Sequence, residues 1–186
     1  IEADRNIGAF FDSLDEYMDL AIDQLMARFT IQSQKTVKNY PFLMGQGVWI
    51  DSDKLGENDT VGEVLKHGTM SVGFIGLAET LVALTGKHHG EDEESRKLGL
   101  EIVTRMRNRI DEECKRTGLN FSLLATPAEG LSGRFVKMDA KKYGIIKGVT
   151  DREYYTNSFH VPVYYKISSF EKIKIPNGVN GINYGV

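Results

Sequence analysis

Asn120-Phe121-Ser122-Leu123-Leu124-Ala125-Thr126-Pro127-Ala128-Glu129-Gly130-Leu131-Ser132-Gly133-Arg134-Phe135 is the stretch on which the fold turns. A short apolar strand, Leu119 to Ala125, gives way to a helix. The spacing puts Thr126 at the N-cap, Pro127 at the first helical position and Glu129 three residues after the cap, a capping box. The turn between a strand's carboxyl end and a helix start offers unpaired amides and a positive dipole end to an anion. Gly130 and Gly133 carry no side chain to obstruct close approach, and Arg134 adds a fork of donors suited to phosphate. Glu129 brings negative charge to the same mouth, so it must cap away from a ligand or bond a sugar hydroxyl. The same features also describe a well-capped junction that binds nothing.

Working outward, the chain alternates strands and helices. Phe10, Phe11, Leu14, Met18, Ala21, Ile22, Leu25, Met26 and Phe29 recur at three- and four-residue spacing and predict a first long helix. Tyr40-Pro41 and Gly45, Gly47 and Gly56 mark a looser region. A short helix follows over Val61–Lys66, stopped by His67-Gly68, then a strand over Met70–Ile75 and a helix over Gly76–Leu84 closed by Gly86. Lys87–Asp92 reads as a polar loop. From Glu93 a second long helix carries Leu98, Ile102, Val103, Met106, Ile110 and Cys114 on one face, with Lys115 and Arg116 in its last turn and Gly118 as its stop. Tyr155–Tyr165 reads as a further strand and Ile167–Ile173 as a helix. The pattern is α/β with three or four mainly parallel strands, too few for a closed barrel but enough for part of one.

Composition narrows the function classes. The net charge of −3 has both signs interspersed, which leaves no basic field for a nucleic-acid polymer. No apolar run reaches bilayer length, so no membrane partner is expected. One cysteine, Cys114, rules out an internal disulfide and a cysteine-rich zinc site, and fits a reducing cytoplasm. Both ends read as cut: Ile1-Glu2-Ala3 runs almost at once into helix, and Pro176–Val186 is a Gly/Asn-rich, irregular tail.

Three stretches resemble one family in its own order. They are His67-Gly68-Thr69-Met70-Ser71-Val72-Gly73-Phe74-Ile75-Gly76-Leu77-Ala78-Glu79, then Ala125 to Phe135, then Gly148-Val149-Thr150-Asp151-Arg152-Glu153-Tyr154-Tyr155-Thr156-Asn157-Ser158-Phe159-His160-Val161-Pro162-Val163. Together they resemble the anaerobic, class III ribonucleoside-triphosphate reductases over about residues 1 to 175, well under half of a complete enzyme. The resemblance implies that residues 1–175 are an internal piece of a ten-stranded α/β barrel. It implies a glycyl radical that oxidises a finger-loop cysteine to a thiyl, which takes hydrogen from the ribose 3′ carbon, with formate as reductant. It further implies a structural zinc, a ribonucleoside triphosphate substrate, the rest of the reductase polypeptide, a radical-SAM activase and a homodimer. By this resemblance Thr126, Ala128, Glu129, Gly130, Leu131 and Ser132 form the substrate-phosphate loop, with Ala128 and Leu131 acting through backbone amides. Arg134, Asn157, Ser158 and His160 are candidates for the substrate cavity. The family's finger-loop cysteine, four-cysteine zinc site and glycyl-radical motif have no counterpart here, and Gly185 is a poor match to the radical glycine. The chain alone is expected to be inactive, with no catalytic residue, cofactor or metal of its own.

Other constellations have plain readings. His88-His89 beside Glu91, Asp92 and Glu93 reads as a solvated loop before a metal site. His67 reads as a helix-end cation and Cys114 as core. Thr156, Ser158 and His160 would share one face of a strand, but no carboxylate or sharp turn makes Ser158 and His160 a hydrolase pair. Gly73-Phe74-Ile75-Gly76 lacks the spacing and lysine of a nucleotide loop and reads as close backbone packing. Rival readings are another glycyl radical enzyme, a non-catalytic nucleotide- or phosphate-binding module, and a purely structural domain.

Overall fold

Two long helices and two short parallel strands organise the chain, as the periodicities require. The computed structural model describes residues 1–172 and Ile175; the tail reading of Pro176–Val186 lies outside the described residues. In order the elements are α1 (Ile7–Ser33), 3-10 turns at Val37–Asn39 and Ser52–Lys54, α2 (Gly62–Leu65), β1 (Thr69–Phe74), α3 (Leu77–Thr85), α4 (Glu93–Thr117), β2 (Asn120–Ala125) and α5 (Glu129–Tyr143). The two strands pair in one sheet. Asn120 bonds Thr69 across it and Ser71 bonds Ser122 at 2.8 Å, so the register advances in step and the strands are parallel. Parallel pairing needs a long crossover, and α3 and α4 supply it. Among the described residues two strands stand where three or four were expected. Tyr155–Tyr165 forms turns, with a single antiparallel bridge from Asn157 to Ile75, because Ser158 takes a left-handed φ of 39° and His160 N–H folds back onto the Asn157 carbonyl.

Contacts divide the chain into two compact units. One comprises Tyr17–Val72 and Ile110–Ser122. Its core gathers Val37, Met44, Val61 and Val64, with Trp49 packed against them and its indole N–H bonded to the Val64 carbonyl at 2.8 Å. Cys114 belongs here, half-buried; its sulfur accepts the Phe121 N–H and donates to the Phe121 carbonyl, an arrangement that anchors α4 to the start of β2.

The other unit takes Ile1–Glu16, Gly73–Arg109 and the chain from Leu123 onward. Gly99 of α4 lets α3 approach closely: a β-carbon there would lie 3.2 Å from Leu81. The predicted α4 stripe is buried in Leu98, Ile102, Val103 and Met106. A second cluster, Val136, Val149 and Tyr155, seats α5 against Ile75 and Val82. Every candidate site residue lies in this unit.

Candidate functional site

The junction after β2 is built differently from the capping box its sequence predicts. Thr126 and Pro127 are irregular, Ala128 is the N-cap in the left-handed conformation (φ 44°, ψ 41°), and the helix begins at Glu129 with no side chain capping it. Thr126 is therefore not the cap, and Pro127 is not the first helical residue. The cause is packing. A β-carbon on Gly73 would lie 2.7 Å from the Thr126 methyl, so Thr126 is spent filling the space over a bare α-carbon of β1. This is the close packing expected of Gly73.

The amides of this turn divide into two sets. Those of Leu131 and Ser132 both reach the Ala128 carbonyl at 2.9 Å. The Glu129 and Gly130 amides have no acceptor among the described residues. Nothing lies within 4 Å of a β-carbon placed on Gly130, so its surroundings are open, whereas one on Gly133 would press the Glu153 carbonyl at 3.3 Å. Ser132 is buried, its hydroxyl on the Glu129 carbonyl and its carbonyl receiving the Tyr155 N–H. Glu129 is exposed, as is Arg134, which lines a groove along α5 with Gly130, Gly133, Lys137 and Lys141.

At the end of β1 the chain supplies its own ligand. Gly76, left-handed at φ 78°, precedes α3. The segment 155–160 lies across this junction as a strap. Gly76 N–H donates to the Thr156 carbonyl at 2.7 Å and Leu77 N–H to the Ser158 carbonyl at 3.3 Å. Glu79, 3% exposed, takes both the Thr156 N–H (3.0 Å) and the Thr156 hydroxyl (2.6 Å) on Oε1. Its Oε2 is buried with no hydrogen-bond partner among the described residues. Burial holds the Glu79 carboxyl above the ordinary carboxylate range, against the pull of the Thr156 bonds and of Arg152. An unmade bond to such an oxygen costs about 1–3 kcal/mol.

A cavity of about 470 Å³ opens beside Glu79 and the strap. Asn157 and His160 line it together with Arg152, whose guanidinium lies 4.1 Å over the Tyr164 ring. Ser158 is buried and does not line it, and neither does Arg134. Thr156, Ser158 and His160 share no strand face, since the strap turns at Ser158. The strap rests on the first turn of α5 through Ser132, whose carbonyl accepts the Tyr155 N–H. Glu79 escaped the sequence reading; the signal was a carboxylate in the first turn of an otherwise apolar helix.

His88 and His89 also depart from expectation. Both are buried rather than solvated, at 2% and 0% exposure. His89 donates Nε2–H to the Phe159 carbonyl at 2.8 Å, and burial pushes its pKa down to about 4. The His88 ring packs edge-on to Tyr165, 4.7 Å between centroids. His89 is thus a strut for the strap, and His88 packs against the chain just beyond it. Among the described residues no group of three His, Cys, Asp or Glu side chains is placed to hold a metal, so the zinc implied by the resemblance has no fitting donor set here.

Set beside known proteins, this geometry has a clear context. The anaerobic ribonucleoside-triphosphate reductase family profile matches residues 1–185. The chain belongs to the anaerobic ribonucleoside-triphosphate reductase family. It is 38% identical over 176 residues, 93% of its length, to the anaerobic ribonucleoside-triphosphate reductase of Escherichia coli K12. It is 42% identical over 168 residues, 88% of its length, to that of Enterobacteria phage T4, and 36% identical over 172 residues to that of Haemophilus influenzae. It spans about a quarter of these relatives, 24% of the first and 26% of the second. No helix of the described residues is long and apolar enough to cross a membrane.

Proposed function

We propose that this chain is part of a cytoplasmic anaerobic ribonucleotide reductase and supplies the loop that holds the substrate's phosphates. The observation that carries this reading is the pair of open amides at Glu129 and Gly130, fixed by the left-handed Ala128 at the carboxyl end of β2. A helix N-terminus with free donors is an anion site, and the relatives are named for reducing ribonucleoside triphosphates. Thr126 sets the turn by keying onto Gly73, Ala128 gives it its hand, and Gly130 keeps it accessible. Leu131 and Ser132 act through the helix, as they shape the turn and anchor it to the strap. Arg134 extends the positive region along α5, while Asn157 and His160 face the cavity that takes the rest of the substrate, over the buried Ser158.

Leu131, Phe135 and Met138 are exposed at 48%, 41% and 55% and stand three or four residues apart on α5, a stripe on which further elements of a ten-stranded barrel would pack. The radical chemistry implied by the family, hydrogen abstraction at the ribose 3′ carbon with formate as reductant, is supplied in this reading by the rest of the reductase polypeptide. The radical-SAM activase that installs the glycyl radical, a second copy in a homodimer and the structural zinc belong there too. Cys114 does not fit the thiyl role, since both of its sulfur contacts go to Phe121.

The test is made in the polypeptide that carries this chain. Gly130→Val should raise the Michaelis constant for ribonucleoside triphosphate about tenfold and leave the glycyl radical signal in electron paramagnetic resonance unchanged. A lost radical with unaltered substrate affinity would refute the phosphate role.

A further inference from the structure

Two neighbouring residues of the strap are held by different helices. Thr156 belongs to the start of α3: its N–H (3.0 Å) and hydroxyl (2.6 Å) both go to Oε1 of Glu79, and its carbonyl takes the Gly76 N–H at 2.7 Å. Tyr155, one residue earlier, belongs to α5. Its N–H reaches the Ser132 carbonyl at 3.4 Å, its phenol donates to Asp139 Oδ2 at 2.7 Å, and its ring packs with Val136 and Val149. The peptide between them is trans and nearly rigid, and both residues are buried. A shift of Thr156 is therefore passed to Tyr155 rather than absorbed. Beyond Tyr155 lies the turn after β2. Ser132 sends its N–H to the Ala128 carbonyl at 2.9 Å and its hydroxyl to the Glu129 carbonyl at 3.2 Å. Those two carbonyls share their peptide planes with the open amides, Ala128 with Glu129 N–H and Glu129 with Gly130 N–H. Holding the carbonyls thus aims the amides.

We infer that Glu79 is a positioning residue for the turn at 128–132: through Thr156, Tyr155 and Ser132 it fixes the direction in which the Glu129 and Gly130 amides point. It acts from the junction after β1 and is not itself a ligand to the anion. Direction matters because a donated hydrogen bond weakens steeply once its N–H is turned off line. The consequence for substrate rests on the phosphate reading, whereas the link itself rests on the bonds within the chain.

Amide hydrogen exchange in the substrate-free polypeptide that carries this chain tests the link. Glu79→Ala should speed exchange at the Leu131 and Ser132 amides about fivefold, the scale of one lost hydrogen bond. Val103→Ala truncates the buried core of α4 away from the strap and should leave those two amides as they are. Thr156→Val, which removes the hydroxyl donor and keeps the shape, should act as Glu79→Ala does but more weakly, and Thr156→Ser should match wild-type exchange. In turnover, Glu79→Ala should raise KM for the ribonucleoside triphosphate severalfold and leave kcat within about twofold, a split that lost stability alone does not produce. Unchanged exchange at Leu131 and Ser132 in Glu79→Ala would overturn the inference. So would equal acceleration in Val103→Ala, or an unmoved KM in Glu79→Ala where Gly130→Val raises it. If thermal melting shows Glu79→Ala misfolded, Thr156→Val against Thr156→Ser carries the test on the same readouts, and identical behaviour of the two would count against it. The phosphate reading fails separately: Gly130→Val with unaltered KM removes that reading, while accelerated exchange in Glu79→Ala keeps the link through the strap.

Discussion

The two strand-to-helix junctions start from the same local design and end in opposite states. Both β1 and β2 hand over to a helix through a left-handed residue, Gly76 at φ 78° and Ala128 at φ 44°, neither with a side-chain cap. Both helices carry a glutamate in their first turn, Glu79 and Glu129. After β1 the strap delivers the Thr156 and Ser158 carbonyls to the amides and Thr156 to the glutamate. After β2 no acceptor arrives among the described residues: two amides stay open, and the glutamate is exposed. The first junction is a small experiment the protein has already performed. It shows what such a turn does when the chain itself supplies the acceptors.

The contrast is broken most severely by pH. Burial makes a charged His89 costly in the folded state, and its folded pKa of about 4 lies below the unfolded value of 6.5. The unfolded chain binds the extra proton between these values, so His89's contribution is complete above pH 6.5 and is lost as pH falls toward 4. The limit is roughly 3 kcal/mol at 1.36 kcal/mol per pKa unit. Urea unfolding from pH 7 to 4.5 should show this decline, and His89→Asn should flatten it; equal slopes would remove His89 from the strap. Glu79 slopes the opposite way. Its raised folded pKa makes the native state relatively less stable as pH climbs through that value, so the two are separated by comparing variants.

Next in size is Glu79→Ala, which strips Thr156 of both its acceptor bonds and should cost about 2–3 kcal/mol in the same assay. Gly76→Ala should cost about 1–2 kcal/mol, because alanine is forced into a left-handed φ beside Tyr155. Ala128→Gly should move the other way: the existing strain is relieved, with a gain of about 0.5 kcal/mol after the greater freedom of an unfolded glycine is subtracted. A loss at Ala128→Gly would mean that the two turns are not equivalent after all. Stability should respond least to Gly130→Ala, within about 0.5 kcal/mol, since nothing lies near its missing side chain.

Much of this was legible in the residues. The apolar spacing of α1 and α4, the glycines that stop α3 and α4, and the junctions at Ala125 and Ile75 are local signals, and local physics decided them. The failures share a cause, which is that distant partners claimed the residues. Thr126 had the chemistry of a cap, but Gly73, far off in sequence, left a hollow that a methyl fills better than it caps. His88 and His89 sit among polar neighbours, and their burial depends on Phe159 and Tyr165. Tyr155–Tyr165 has a strand's aromatics and β-branched residues, yet only Ile75 pairs with it, so it turns at Ser158. Of the candidate site, the open turn and the Asn157–His160 wall were visible from sequence, whereas Glu79 emerged only when its two oxygens proved unlike.

The nesting of Thr126 over Gly73 also makes the tips of the two strands interdependent. A methyl group added at position 73 has nowhere to go but against Thr126, so it would lever Ala128 and the amides behind it outward without touching them. Position 73 is thus a remote tuning screw for the turn. Restoring it should take a smaller residue at 126, so Gly73→Ala paired with Thr126→Ser ought to recover what either change alone would forfeit.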